Sequence, residues 1–152
     1  MRKIYPNEKY CMGCGICRIN CAVSAAGTDD LLKAYRLNKL PASRIRIDEN
    51  LTDKKHPLMF AIQCIQCEQP ECVESCLTGA IHKDLKTGVV IINKDKCIGC
   101  WTCVLACPYS CIFPDISVSK RAVKCELCLD KESPPCVAGC PNNALIVEDE
   151  RA

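Results

Sequence analysis

The sequence predicts a small α+β fold of short strands and short helices, and three observations point to it. Cysteine accounts for seventeen of 152 residues, far above ordinary usage. Most of those cysteines fall into four groups written in one grammar. Three of the groups run on through a turn into a short apolar stretch suited to a strand. A chain of this length has room for one compact domain or two very small ones, and its aliphatic content is ordinary once the cysteines are set aside.

The four groups are Cys11, Cys14, Cys17 and Cys21; Cys64, Cys67, Cys72 and Cys76; Cys97, Cys100, Cys103 and Cys107; and Cys125, Cys128, Cys136 and Cys140. Each closes with C-x3-C. Pro108 and Pro141 follow groups three and four, where Ala22 and Leu77 follow groups one and two. C-L-T-G-A-I (76–81), C-P-Y-S-C-I (107–112) and C-P-N-N-A-L (140–145) then repeat one another. The predicted unit is therefore a ligand loop, one short helix, a turn and a strand. After group two, 80–83 and 89–93 flank Asp84 and Gly88 and predict a hairpin. The non-repeating insert predicts a helix over 29–37, with Thr28 as N-cap and two acids in the first turn. Pro41 then precedes a strand over 44–48, and P-L-M-F-A-I-Q forms a second strand leading into Cys64.

Composition excludes several functions. A net charge of +2 and a complement of four Tyr, two Phe and one Trp offer nucleic acid neither a basic field nor a stacking surface. Lys120, Arg121 and Lys124 form the one tight basic group; it reads as a solvated face, with a docking patch for an acidic partner as the alternative. The longest apolar stretches, 58–62 and 89–92, fall far short of the roughly 20 residues that cross a bilayer, so no membrane insertion is expected. Residues 1–20 lack the apolar run and cleavage site of a secretory signal, and no twin arginine precedes an apolar segment. The expectation is a cytoplasmic, reducing setting.

In that setting the cysteines point to iron-sulfur clusters. A cubane cluster needs one thiolate on each of four irons. C-x2-C-x2-C wraps three corners with one tight loop, and a distant cysteine closes the fourth. Groups one and three follow this run letter for letter. Groups two and four widen the gap before the third cysteine and place proline just ahead of it, in Q-P-E-C and P-P-C. Zinc is the weaker reading, because a third cysteine three residues after a C-x2-C pair would crowd a tetrahedral site. Disulfides need an oxidising compartment and an even count. The expected cofactors are four 4Fe-4S clusters on sixteen cysteines.

Cys111, the seventeenth, aligns with Ala80 and Ala144 and is expected to fill core space as a buried free thiol, with ligand exchange or a redox role as the alternative. Gly13, Gly15 and Gly99 lie between ligands, where a backbone without Cβ approaches the inorganic core closely. Trp101 and Tyr109 flank group three and are expected to shield a cluster from water. His56 and His82 are expected to be exposed.

These residues resemble the four-cluster ferredoxin-type subunits of anaerobic oxidoreductases found with dimethyl sulfoxide reductases, formate dehydrogenases and hydrogenases. Within that family the chain looks most like the iron-sulfur partner subunit of nickel carbon monoxide dehydrogenase. A-I-Q-C-I-Q-C-E-Q-P-E-C-V-E-S-C-L-T-G-A-I, K-C-I-G-C-W-T-C-V-L-A-C-P-Y and the K-C-E-L-C segment with P-P-C-V-A-G-C-P-N-N-A-L carry the likeness. It implies a non-catalytic electron-transfer subunit that takes electrons from carbon monoxide dehydrogenase and passes them to a hydrogenase, a flavin reductase or another acceptor. The alternatives are a subunit of an aldehyde, formate or molybdopterin-type oxidoreductase, and a redox-sensing module. An enzyme with an open iron would need a three-cysteine site, and none is visible. Some relatives have tryptophan in place of the second cysteine of group three; Cys100 is present here. Larger relatives carry a C-terminal membrane anchor, where this chain stops at V-E-D-E-R-A, so direct attachment is not expected.

The fold expected is two interleaved bacterial ferredoxin-like double-cluster units within one polyferredoxin domain, 1–152. The inner unit, 57–112, holds groups two and three. The outer unit, 1–27 with 113–152, holds groups one and four, and 28–56 is the insert. In bacterial ferredoxins the fourth cysteine of a run serves the other cluster of the pair. The expected sets are Cys11, Cys14 and Cys17 with Cys140; Cys125, Cys128 and Cys136 with Cys21; Cys64, Cys67 and Cys72 with Cys107; and Cys97, Cys100 and Cys103 with Cys76.

Overall fold

The computed structural model describes residues 2–36, 40–50 and 58–149, with the backbone alone at Asn50 and Asp149. Its order is β1 (Arg2–Pro6), α1 (Ile16–Ala25), α2 (Leu31–Arg36), β2 (Ile45–Asn50), β3 (Leu58–Gln63), α3 (Glu71–Glu74), β4 (Ile81–Lys83), β5 (Val90–Ile92), α4 (Thr102–Ala106), β6 (Ile112–Asp115), β7 (Arg121–Lys124), α5 (Pro135–Ala138) and β8 (Leu145–Asp149). The class is α+β. The strands form antiparallel pairs β1–β8, β2–β3, β4–β5 and β6–β7.

Every ligand loop feeds a helix that carries the third cysteine of its group: Cys17 on α1, Cys72 on α3, Cys103 on α4 and Cys136 on α5. Proline after the fourth cysteine is one reason a helix stops short of it, although α3 ends at Glu74 with Leu77 and no proline after Cys76. Proline disfavours helical backbone at the residue before it, and Cys107, ahead of Pro108, turns extended at φ −78°, ψ 111°. Group one has Ala22 instead, and α1 runs through Cys21 to Ala25.

The helices pack in two pairs, α1 on α5 and α3 on α4, and two cores result. One gathers Ile4, Ile45, Ala61, Leu127 and Leu145 around Cys17, Cys125 and Cys136. The other gathers Ile81, Val90, Ile92, Ile112 and Ala122 around Cys103. Chain order conceals a repeat. Group two, β4, β5, group three, β6 and β7 come one directly after another. Group four, β8, β1, group one, β2 and β3 make the same series, with the chain termini where the β4–β5 turn would be.

The predicted hairpin after group two is present, with Ile81 opposite Ile92. The insert strand and the strand before Cys64 are present and pair with each other, Ile45 opposite Gln63; Pro57 lies outside the described residues. The insert helix starts later than expected, and Leu37 lies outside the described residues. Its cap is Asp30, whose Oδ1 accepts from Lys33 N at 3.1 Å, while Thr28 Oγ1 accepts from Asp30 N at 3.2 Å and shapes the preceding turn. The Asp30 carboxylate reaches the third helical N–H, whereas the Thr28 hydroxyl sits two residues too early to do so. The first turn accordingly holds no acid.

The basic group also differs from expectation. Lys120 is exposed and Arg121 half-buried, but Lys124 is fully buried. Ala122, Val123 and Lys124 are buried in succession as β7 leads into the next ligand loop. His82 is exposed; His56 lies outside the described residues. Among the described residues no helix is long and apolar enough to cross a membrane.

Candidate functional site

Each Cys-x2-Cys turn passes through left-handed backbone at the residue before its second cysteine. Those residues are Gly13 at φ 70°, Gln66 at 57°, Gly99 at 71° and Leu127 at 65°. A left-handed residue reverses the chain so that successive N–H groups face one side, the arrangement that receives an anion. Glycine adopts it freely. Gln66 and Leu127 do not, and both are buried where their side chains hold the turn. Gln66 Oε1 accepts from Val90 N at 2.9 Å and its Nε2 donates to Cys125 O at 2.8 Å, tying the loop of group two to that of group four. Gly99 is also confined by protein: an added Cβ would lie 2.5 Å from Lys120 O.

The structure brings the cysteines together across groups. Cys11, Cys14, Cys17 and Cys140 line one cavity. Cys21, Cys125, Cys128 and Cys136 line a second. Cys64, Cys67, Cys72 and Cys107 line a third. Around Cys103 stand Cys97, Cys76 and Cys100. Among the described residues no three His, Cys, Asp or Glu side chains are arranged to hold a single metal ion. The thiols of each set surround a space and do not converge on a point, which suits a cluster with one thiolate at each corner.

Backbone N–H groups aim at the crossing cysteines. Cys111 N donates to Cys107 Sγ at 3.3 Å and Ala144 N to Cys140 Sγ at 3.2 Å. These are the same donor in two copies of the turn. Cys76 takes N–H bonds from Ile81, Thr78 and Ala80, which outweigh its burial and hold its thiol below the ordinary range. Cys21 has no such turn, because α1 continues past it. Its donor is Arg44 N, 3.3 Å away in the insert. The insert thus supplies the contact that the missing turn would have made.

Burial raises several of the inner thiols. It pushes Cys17, Cys72 and Cys103 up to about 11, with repulsion among the thiolates of their own sets adding to it. Cys125 is pushed up to about 12 by burial, and Cys136 higher still, by burial and then Cys125, Cys21 and Cys128. Thiols held protonated this way release protons when iron binds, since the thiolate is the ligand. At the surface Cys100 is held down by a hydrogen bond from Thr102 Oγ1, 3.4 Å away.

Cys111 lines the cavity of Cys64, Cys67, Cys72 and Cys107 as a fifth thiol. It is 1% exposed, like Ala80, and its thiol donates toward Gln63 O and Tyr109 O, each 3.2 Å away. Burial pushes it up to about 12. Trp101 packs among the residues around Cys103. Tyr109 is half exposed and borders the Cys64 cavity rather than that of its own group, because Cys107 crosses over and carries the following turn with it.

Sequence reading missed Arg2 and Asp115. Arg2 is buried, and its guanidinium donates to Cys128 O at 3.0 Å, Lys131 O at 2.8 Å and Glu132 O at 3.2 Å. It organises the widened loop of group four from the far end of the chain. Asp115 is buried and accepts from Ala42 N at 3.3 Å and Ser119 N at 3.0 Å, pinning the insert to the β6–β7 turn. An acid directly after an apolar stretch was the only hint.

Residues 56–150 match the family described as the 4Fe-4S dicluster domain. A protein of Escherichia coli K12 named YsaA is 36% identical over 146 residues, covering 95% of this chain and 87% of its own. Electron transport protein HydN of the same organism is 34% identical, covering 97% and 88%. The thiosulfate reductase electron transfer subunit PhsB of Salmonella typhi is 34% identical, covering 91% and 71%.

Proposed function

This chain belongs to the 4Fe-4S dicluster family of ferredoxin-type proteins, non-catalytic electron-transfer subunits of oxidoreductases with multiple 4Fe-4S clusters, and we propose that it relays low-potential electrons through four of them between a catalytic subunit and an acceptor. Four-cysteine sets standing in series carry this reading. Cys17 of the first set lies close enough to act on Cys136 of the second. Cys64 of the third packs against the core that holds them both. Cys72 and Cys107 share the other core with Cys103 of the fourth.

The sixteen cysteines are the iron ligands, in the sets predicted above: Cys140 with group one, Cys21 with group four, Cys107 with group two and Cys76 with group three. When bound, each cluster takes up and gives back one electron. The residues around it exclude water and present N–H donors to sulfur, and both effects tune the potential. Cys14 and Cys100 are the exposed ligands, so the first and fourth sets are the points of entry and exit.

The donor proposed is carbon monoxide dehydrogenase and the acceptor a hydrogenase or flavin reductase, in an anaerobic cytoplasm. This rests on the motif resemblance. PhsB is named as the electron transfer subunit of a different reductase, which keeps open a second reading, a subunit of an aldehyde, formate or molybdopterin-type oxidoreductase. Anaerobic mixing with carbon monoxide and catalytic dehydrogenase should bleach the cluster absorbance. Absence of bleaching there, with fast reduction by a formate or aldehyde enzyme, would move the assignment to the second reading.

A further inference from the structure

Lys124 ends β7 with no exposed surface, and its Nζ donates to Cys125 O at 2.9 Å. The same Lys-Cys pair opens group three, where Lys96 is exposed. A buried ammonium is costly unless an opposite charge offsets it. Among the described residues no carboxylate pairs with Lys124. Lys124 lies close enough to both Cys125 and Cys72, which belong to neighbouring sets, for its charge to act on each. Arg44 is a parallel case. It lines the cavity of Cys21, Cys125, Cys128 and Cys136, its guanidinium favours the Cys128 thiolate, and its buried Nε has no protein partner. Asp130 acts on Cys128 in the opposite sense but is exposed, where solvent and salt screen it.

We propose that Lys124 and Arg44 set the reduction potential of the cluster held by Cys21, Cys125, Cys128 and Cys136, with Lys124 shared by the neighbouring cluster at Cys64, Cys67, Cys72 and Cys107. This rests on the ligand sets above. One electron from a reduced redox protein adds one negative charge to the cluster and breaks no bond. A fixed cation nearby in a low-dielectric interior stabilises the reduced form more than the oxidised one and raises the potential. A cation between two clusters does so for both, which keeps the middle of the series level and favours the electron there over the ends.

Mediated redox titration of the anaerobic whole chain with dithionite, followed by electron paramagnetic resonance, tests this. Lys124→Met should lower two potentials so that the reduced-to-oxidised ratio at a set potential falls about tenfold, a shift of about 59 mV for one electron. Arg44→Gln should lower one of those two, and Arg44→Lys should recover most of that loss. Lys96→Met should leave the titration unchanged. Iron content equal to wild type separates a shifted potential from a lost cluster; should Lys124→Met lose iron, Lys124→Gln removes the charge while keeping a donor and is read the same way. Unchanged potentials in an iron-replete Lys124 variant, or an equal shift in all four clusters, would overturn the proposal. Cys21→Ser and Cys125→Ser keep the two readings apart: if they disturb different clusters the ligand assignment fails, whereas if they disturb one cluster that the Lys124 and Arg44 variants do not move, only this inference fails.

Discussion

Gly99 and Gly15 are both left-handed, yet they answer to different constraints. A Cβ on Gly15 would meet no protein atom within 4 Å, whereas one on Gly99 would run into the Lys120 carbonyl. Forcing an L residue into left-handed backbone costs roughly 1–2 kcal/mol, and a clash with backbone cannot be relieved by turning a side chain. Gly99→Ala should therefore lower the stability of the loaded protein by clearly more than Gly15→Ala, which should lose only about that amount. Chemical unfolding of the two variants decides it, and equal losses would show that the β6–β7 turn gives way freely. The same close packing explains why the left-handed site in group two can be Gln66: two buried hydrogen bonds offset the strained backbone.

At the scale of elements, the working unit is the helix with the turn after it. Each helix delivers its third cysteine to one set and hands the fourth across to another. Cys140→Ser should accordingly disturb the cluster of the Cys11, Cys14 and Cys17 loop and leave that of Cys125, Cys128 and Cys136 nearly intact. The magnetic resonance spectra of Cys140→Ser and Cys14→Ser should then change alike, and a Cys140→Ser spectrum resembling that of Cys128→Ser would contradict the crossing. Much of this level was legible. Cysteine spacing placed the loops and helices, and the apolar runs after Cys76, Cys107 and Cys140 placed β4, β6 and β8. What escaped depends on distant partners. β1 is five residues whose pairing lies at the opposite end of the chain. Arg44 reads locally as one residue of an alternating strand, and its N–H reaches Cys21 only because α1 carries on past that cysteine. Lys124 read as one of a surface trio because local charge spacing says nothing about which residues of β7 are buried.

Over the whole molecule, the two halves repeat one arrangement, opened at different points of the chain. Their cores consist in good part of cysteine: Cys17, Cys125 and Cys136 in one, Cys103 in the other. Without the clusters those thiols surround empty space, and lost packing of this kind is strongly destabilising. Metal-site formation supplies folding free energy in small domains of this sort. Iron chelation should thus abolish most of the circular dichroism and expand the chain in small-angle scattering; unchanged signals would mean that the strand pairs hold the fold alone. The most direct test of the central claim is the content of iron and acid-labile sulfide per chain after anaerobic purification. Four complete ligand sets predict about sixteen of each. A reproducible value near eight of each, about two clusters, would contradict the account.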